Sequence, residues 1–73
     1  MNNDIQIINI VSKILKIDKS QINLDTRSDD IINWDSLAQI NIILTLEKNF
    51  NKKLKTSEIN DLNSIKSLTK YFK

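Results

Sequence analysis

The stretch "SLAQINIILTLEKNF", residues 36–50, is too evenly spaced in its apolar residues for a loop and lacks the alternation of a strand. Ile42, Ile43, Leu46 and Phe50 recur at steps of one, three and four, which lines one face of a helix. Leu37, Ile40 and Leu44 form a second stripe, displaced around the same helix, with Asn41, Thr45 and Lys48 as the polar remainder. A helix covering one side of a bundle needs only one stripe. Two readings of the second are open. The helix is central and buries both, as a very small domain would favour, or Leu37, Ile40 and Leu44 stay partly exposed for docking partners.

Outward from this helix, the periodicity marks three further helical segments. A first helix is predicted from about Asn3 to Lys16, with Ile7, Ile8, Val11, Ile14 and Leu15 at helical spacing and Asn3 with Gln6 resembling a capping box. From Asp18 to Asp35 the pattern dissolves into a long loop rich in Asp, Ser and Asn, which Ile22, Leu24, Ile31, Ile32 and Trp34 are expected to pin to the core. Beyond "NKKLK" a short helix is predicted from about Thr56 to Asp61. A last one runs from Ser64 to Phe72, with Ile65, Leu68 and Phe72 on one face. Thr56 or Ser57, and Asn63, are the candidate caps of these two. The chain has no Gly and no Pro, so a left-handed helix exit must use another residue. Asn51 suits that role directly after Phe50, and Asn33 suits the sharp approach to Trp34 and Asp35. The fold class is therefore all-α: a small four-helix bundle, three main helices plus one short, with a long loop between helices one and two.

Composition narrows the chemistry. At 73 residues the chain reads as one domain, near the lower size limit for an unstapled core. It has no Cys and no His, which removes disulfides, the usual zinc ligands and the usual general base, so neither a metal site nor catalytic residues are expected. No apolar run approaches the roughly 20 residues that cross a bilayer, and no secretory signal is evident, so a cytoplasmic protein without membrane contact is expected. The net charge of +2 and pI near 9.0 rest on lysines scattered from 13 to 73, with one modest cluster at "KNFNKKLK". A weak excess spread in this way reads as solvated surface, not as a nucleic-acid footprint.

Ser36 stands where the long helix begins, with no partner in the sequence to activate it. It is either a helix cap or a residue acted on by others. "WDSLAQINIILTLEKNF", preceded by a long loop and followed by two short helices, resembles the acyl carrier proteins and the related carrier domains of polyketide and peptide synthesis. The resemblance spans nearly the whole chain. It rests on the "DSL" tripeptide opening the second helix and on the apolar helix ending in Glu47-x-x-Phe50. It implies a carrier, not an enzyme. Ser36 would be the attachment point of covalent 4'-phosphopantetheine, flanked by Asp35 and Leu37, with acyl or related intermediates held as thioesters on that arm. The partners implied are a phosphopantetheinyl transferase and acyl-loading ligase, synthase or transferase enzymes. Asp35 could lend a carboxylate to the transferase's magnesium in the complex.

One departure bears on the pathway. Carriers of central fatty-acid synthesis resemble one another in an acidic second helix, whereas Ala38, Gln39, Asn41, Thr45, Lys48 and Asn49 hold those positions here. Electrostatic steering by that helix should therefore be weak, and a carrier in a dedicated pathway whose enzymes dock more through Leu37, Ile40 and Leu44 fits better; a monomer is expected. Two alternatives stand beside the carrier: a small basic helical module that binds nucleic acid, and a protein-interaction domain in which Ser36 is only a cap.

Overall fold

The computed structural model describes residues 4–59 and 61–72, and over them the chain forms four helices: α1 (Asp4–Leu15), α2 (Ser36–Phe50), α3 (Thr56–Ile59) and α4 (Ile65–Tyr71). No strand is present among the described residues. One isolated antiparallel bridge, Arg27 to Ser64, is the sole sheet-like contact there.

In α1, Ile7, Val11 and Leu15 follow one another at four-residue steps and are buried. Ser12 is buried beside them because its hydroxyl donates to the Asn9 carbonyl at 3.0 Å, which satisfies the polar group inside the helix. The helix is one residue shorter at its exit than the periodicity suggests, and the proposed cap Asn3 lies outside the described residues. The reason for the early exit is Lys16, which turns left-handed at φ 59°. Its N–H donates to Lys13 O and that of Ile17 to Ser12 O, the paired bonds of a Schellman stop. α2 ends at Phe50 on a second left-handed residue, whose N–H donates to Glu47 O. Asn51 is left-handed at φ 53°, and Lys52 N–H donates to Glu47 O at 3.1 Å. Without glycine the chain uses Asn at one exit and Lys at the other. Asn33 is not left-handed. It contributes through its side chain, which donates to the Leu15 carbonyl at 3.0 Å and ties the loop to the end of α1.

The 18–35 loop is more ordered than its composition suggests. It holds two 3-10 turns, Lys19–Gln21 and Ser28–Asp30. Thr26 is buried, with its hydroxyl accepting from Asn23 N–H at 2.9 Å. The loop is stitched to α4 by Ser28 N–H on Asn63 O (2.8 Å) and Ile65 N–H on Thr26 O (3.0 Å). Ile22 and Trp34 are buried pins and Ile31 packs partly against the core. Leu24 and Ile32 are not pins: Leu24 is 43% exposed and Ile32 97%. Ile31 is extended, and successive side chains of an extended segment leave on opposite sides, so only one of the two adjacent isoleucines can face inward.

Two boundaries in the C-terminal third also differ from the expectation. The short helix is described over Thr56–Ile59 and does not extend to Asp61, Asn60 lying outside the described residues; Thr56 and Ser57 both fall inside it, and the N–H of Lys55 ahead of it donates to the Glu58 carboxylate at 3.0 Å. α4 is capped by Ser64, not Asn63, in a reciprocal pair with Ser67. Asn63 is occupied instead, its carbonyl accepting the bond from Ser28. Ile7 and Val11 from α1, Ile42 and Leu46 from α2, and Ile65 and Leu68 from α4 then meet with Phe72 in a fully buried centre. Phe50 sits at its edge, half-buried, with its ring 5.7 Å from that of Phe72.

Candidate functional site

The approach to α2 is built from its polar atoms. Trp34 is buried, and an indole N–H is a donor only, so it requires an acceptor inside the fold. Gln39 supplies it. Its Oε1 accepts from Trp34 Nε1 at 2.6 Å, and its Nε2 then donates to Ile59 O at 2.6 Å and to Leu62 O at 2.8 Å. Because the indole fixes which end of the amide carries the oxygen, three bonds lock one orientation. They bolt the start of α2 to the end of α3 and to the connection into α4. Among the described residues no buried side-chain nitrogen or oxygen is left without a partner.

Asp35 is the N-cap of α2. Its backbone is extended, and its carboxylate accepts from Ala38 N–H at 2.8 Å. Ser36 is therefore the first helical residue and not the cap. Its side chain is exposed, and its hydroxyl makes no hydrogen bond among the described residues. The N–H groups of Ser36 and Leu37 lie in the first turn, where a helix offers them no acceptor and the macrodipole favours negative charge. An open groove of about 350 Å³ runs beside them, lined by Ser28, Trp34, Asp35, Ser36, Gln39 and Asn63. Two serines, the Asp35 carboxylate and the Asn63 amide share that lining with the Trp34 indole. The unengaged N–H groups of this first turn are placed to meet an anion at the mouth of the groove.

Leu37, Ile40 and Leu44 are 68%, 45% and 56% exposed, so α2 buries one apolar stripe and presents the other. Asp35, Ser36 and the head of that stripe lie together at one end of the helix. Two neighbours expected at the surface are elsewhere. Ala38 and Gln39 are buried, because at this end of α2 the side facing α3 is part of the core. Gln39 is the residue that sequence reasoning missed, and the signal that could have found it is Trp34, an aromatic donor in need of a buried acceptor.

No helix among the described residues is long and apolar enough to cross a membrane. The sequence matches the phosphopantetheine attachment site family over residues 6–72, which takes in all four helices but the first residues of α1. By that match the chain belongs to the phosphopantetheine attachment site family, the carrier domains that bear covalently attached 4'-phosphopantetheine.

Proposed function

We propose that the protein is a stand-alone acyl carrier of a dedicated biosynthetic pathway, one carrier domain over residues 1–73, with the arm on Ser36. The observation that carries this reading is the division of labour between Asp35 and Ser36. Asp35 caps the helix, which leaves the Ser36 hydroxyl exposed and uncommitted at a helix N-terminus. A serine in this position needs access, not activation. The transferase supplies base and metal: the Ser36 oxygen attacks the phosphopantetheine-bearing phosphorus of coenzyme A, its proton leaves to that enzyme, and the pyrophosphate bond breaks to release adenosine 3',5'-bisphosphate. Asp35 keeps one carboxylate oxygen on Ala38 N–H, and the other is available to the transferase's magnesium. The group supplies a terminal thiol, on which acyl or related intermediates are held as thioesters. The protein's own residues hold the attachment turn rigid through the Trp34 and Gln39 bonds and keep it open to solvent.

The dedicated pathway is inferred from the exposed face of α2. Apart from Asp35, its one acid is Glu47, which is half-buried and accepts from Leu54 N–H at 2.6 Å. Enzymes that recognise an acidic helix have little to grip here, so the transferase and the loading enzymes are assigned to Leu37, Ile40 and Leu44. The carrier is taken to work as a cytoplasmic monomer, with no catalysis of its own.

Mass spectrometry after incubation with coenzyme A and a broad-specificity transferase tests the assignment. One phosphopantetheine added to the wild type, mapped to Ser36, and none added to Ser36→Ala is the expected result. A mass shift mapped to Ser12, Ser20, Ser28, Ser57, Ser64 or Ser67 would overturn it.

A further inference from the structure

The far end of α2 carries a second groove, of about 300 Å³, lined by Leu44, Glu47, Lys48, Asn51, Lys52 and Lys53. The left-handed turn at Asn51 creates it, reversing the chain so that Lys52 and Lys53 return beside the last turn of the helix. The returning segment is clamped. Lys52 Nζ donates to Tyr71 O at 2.7 Å and lies 4.6 Å from the centre of the Tyr71 ring, while Tyr71 OH donates to Lys53 O at 3.0 Å. The acid of the groove is engaged, since the Glu47 carboxylate holds Leu54 N–H. Lys48 and Lys53 are exposed, and their ammonium groups have no ion pair among the described residues.

Three lysines thus face one committed carboxylate. The partial charge of a helix C-terminus, roughly −0.5, leaves such a groove cationic. Its apolar wall is Leu44, the last member of the exposed Leu37, Ile40 and Leu44 stripe, so the groove continues that stripe and ends it in positive charge. The geometry points to this groove as the docking site for an acidic segment of a protein partner, with an apolar side chain of that segment against Leu44 and carboxylates against Lys48 and Lys53. The assignment rests on the carrier reading, because it names the chemistry of the surface that an enzyme lying along α2 would present. Charge complementarity selects acid, and continuity with the apolar stripe selects protein. A nucleic acid typically calls on about six to ten phosphate contacts, more than this groove provides. The transferase, working at Ser36, is a different case. Lys48 is twelve residues along the helix, roughly 18 Å away, beyond the roughly 8 Å screening length of physiological salt.

The test is an NMR titration of isotope-labelled protein with three probes: a capped helical peptide of Leu, Ala and Glu, the same peptide with Lys for Glu, and a short oligothymidylate. The Glu peptide should shift the amides of Leu44, Lys48, Asn51, Lys52 and Lys53. Its affinity should fall roughly ten-fold in the Lys48→Glu, Lys53→Glu double variant, and several-fold from low to high salt. The Lys peptide should leave the groove unshifted. Shifts spread equally to Lys13, Lys19 and Lys66, unchanged affinity in the double variant, or tighter binding of the oligothymidylate in the groove would each overturn the assignment. Phosphopantetheine transfer to the same samples separates the two readings. The double variant should be modified as fast as the wild type. If the wild type is never modified, the Ser36 assignment fails while the titration still decides the groove.

Discussion

The two apolar stripes of α2 are made of the same residue types and meet opposite fates. Ile42, Ile43 and Leu46 are essentially inaccessible, whereas Leu37, Ile40 and Leu44 are roughly half exposed or more. Hydrophobicity does not separate them. What separates them is cover: α1 packs along one side of α2, α3 closes over its start at Gln39, and among the described residues no element lies over the other side. Burial is thus decided by the neighbours that the topology supplies, and an apolar stripe left uncovered is a surface available for contact. The core stripe should govern stability and the exposed stripe should not. Each substitution below is chosen to break or sharpen that division.

The largest effect is expected from Leu46→Ala. Removing a fully buried leucine side chain costs about 2–5 kcal/mol, and a domain of this size has a total stability of roughly 4–11 kcal/mol at 0.05–0.15 kcal/mol per residue. A drop in melting temperature of at least about 10 °C by circular dichroism should follow. A melt within a few degrees of wild type would show that the faces are reversed. Phe50→Ala should cost less, about 1–3 kcal/mol, because the ring is half-buried and its main loss is the contact with Phe72.

Gln39→Leu comes next, and it addresses the border between the stripes. The leucine keeps the bulk but leaves Trp34 Nε1–H and the Leu62 carbonyl without their partner and the Ile59 carbonyl with the Leu62 N–H alone, at a cost of about 1–3 kcal/mol. Tryptophan fluorescence should change in the folded protein, since Trp34 is the sole tryptophan. A variant as stable as wild type with unchanged emission would remove Gln39 from its role as the bolt.

Gln39 also shows where the sequence stops being legible. The bounds of α2 could be read to the residue, because apolar spacing and the Asn51 exit are local signals, although the cap proves to be Asp35 and not Ser36. Ser36 could be singled out for the same reason, from a tripeptide in register with the helix start. The misreadings share one cause: each depends on which groups are already engaged across the fold. A glutamine between apolar stripes reads as surface until Trp34 is known to be buried. Ser64 and Asn63 are both competent caps, and the bond from Ser28 to the Asn63 carbonyl separates them. Lys16 carries no compositional mark of a left-handed exit. Leu24 and Ile32 read as pins because they are apolar residues in a polar loop, and nothing local marks that they face outward.

A smaller effect should distinguish the two residues at the head of the exposed stripe. Asp35→Ala removes the cap and should cost about 0.5–2 kcal/mol. Ser36→Ala, one residue on, should stay within about 0.5 kcal/mol of wild type, as its hydroxyl holds nothing. Modification should behave the other way, being lost in Ser36→Ala and retained, at reduced rate, in Asp35→Ala. Denaturant melts and intact-mass measurements on the same preparations check both halves. A Ser36→Ala protein destabilised as much as Asp35→Ala would mean that the serine hydroxyl does structural work.

The smallest change in stability is expected where the exposed stripe begins. Leu37 is 68% exposed, so Leu37→Ala removes little buried surface and should move stability by no more than about 0.5 kcal/mol. If the stripe is the docking face at this end, the same substitution should slow phosphopantetheine transfer several-fold, because the side chain lies beside Ser36 and loses its apolar contact with the enzyme. The contact is apolar, and the lysines at the far end of α2 are screened from it, so turnover of the wild type should depend only weakly on salt. Transferase rates for wild type and Leu37→Ala at low and high ionic strength, with melting curves alongside, resolve the matter. Steep salt inhibition with little effect of Leu37→Ala would move recognition from the stripe to the charges, either Asp35 and Glu47 or the lysines around residue 52. The apolar stripe at the Ser36 end would then be exposed without serving the transferase.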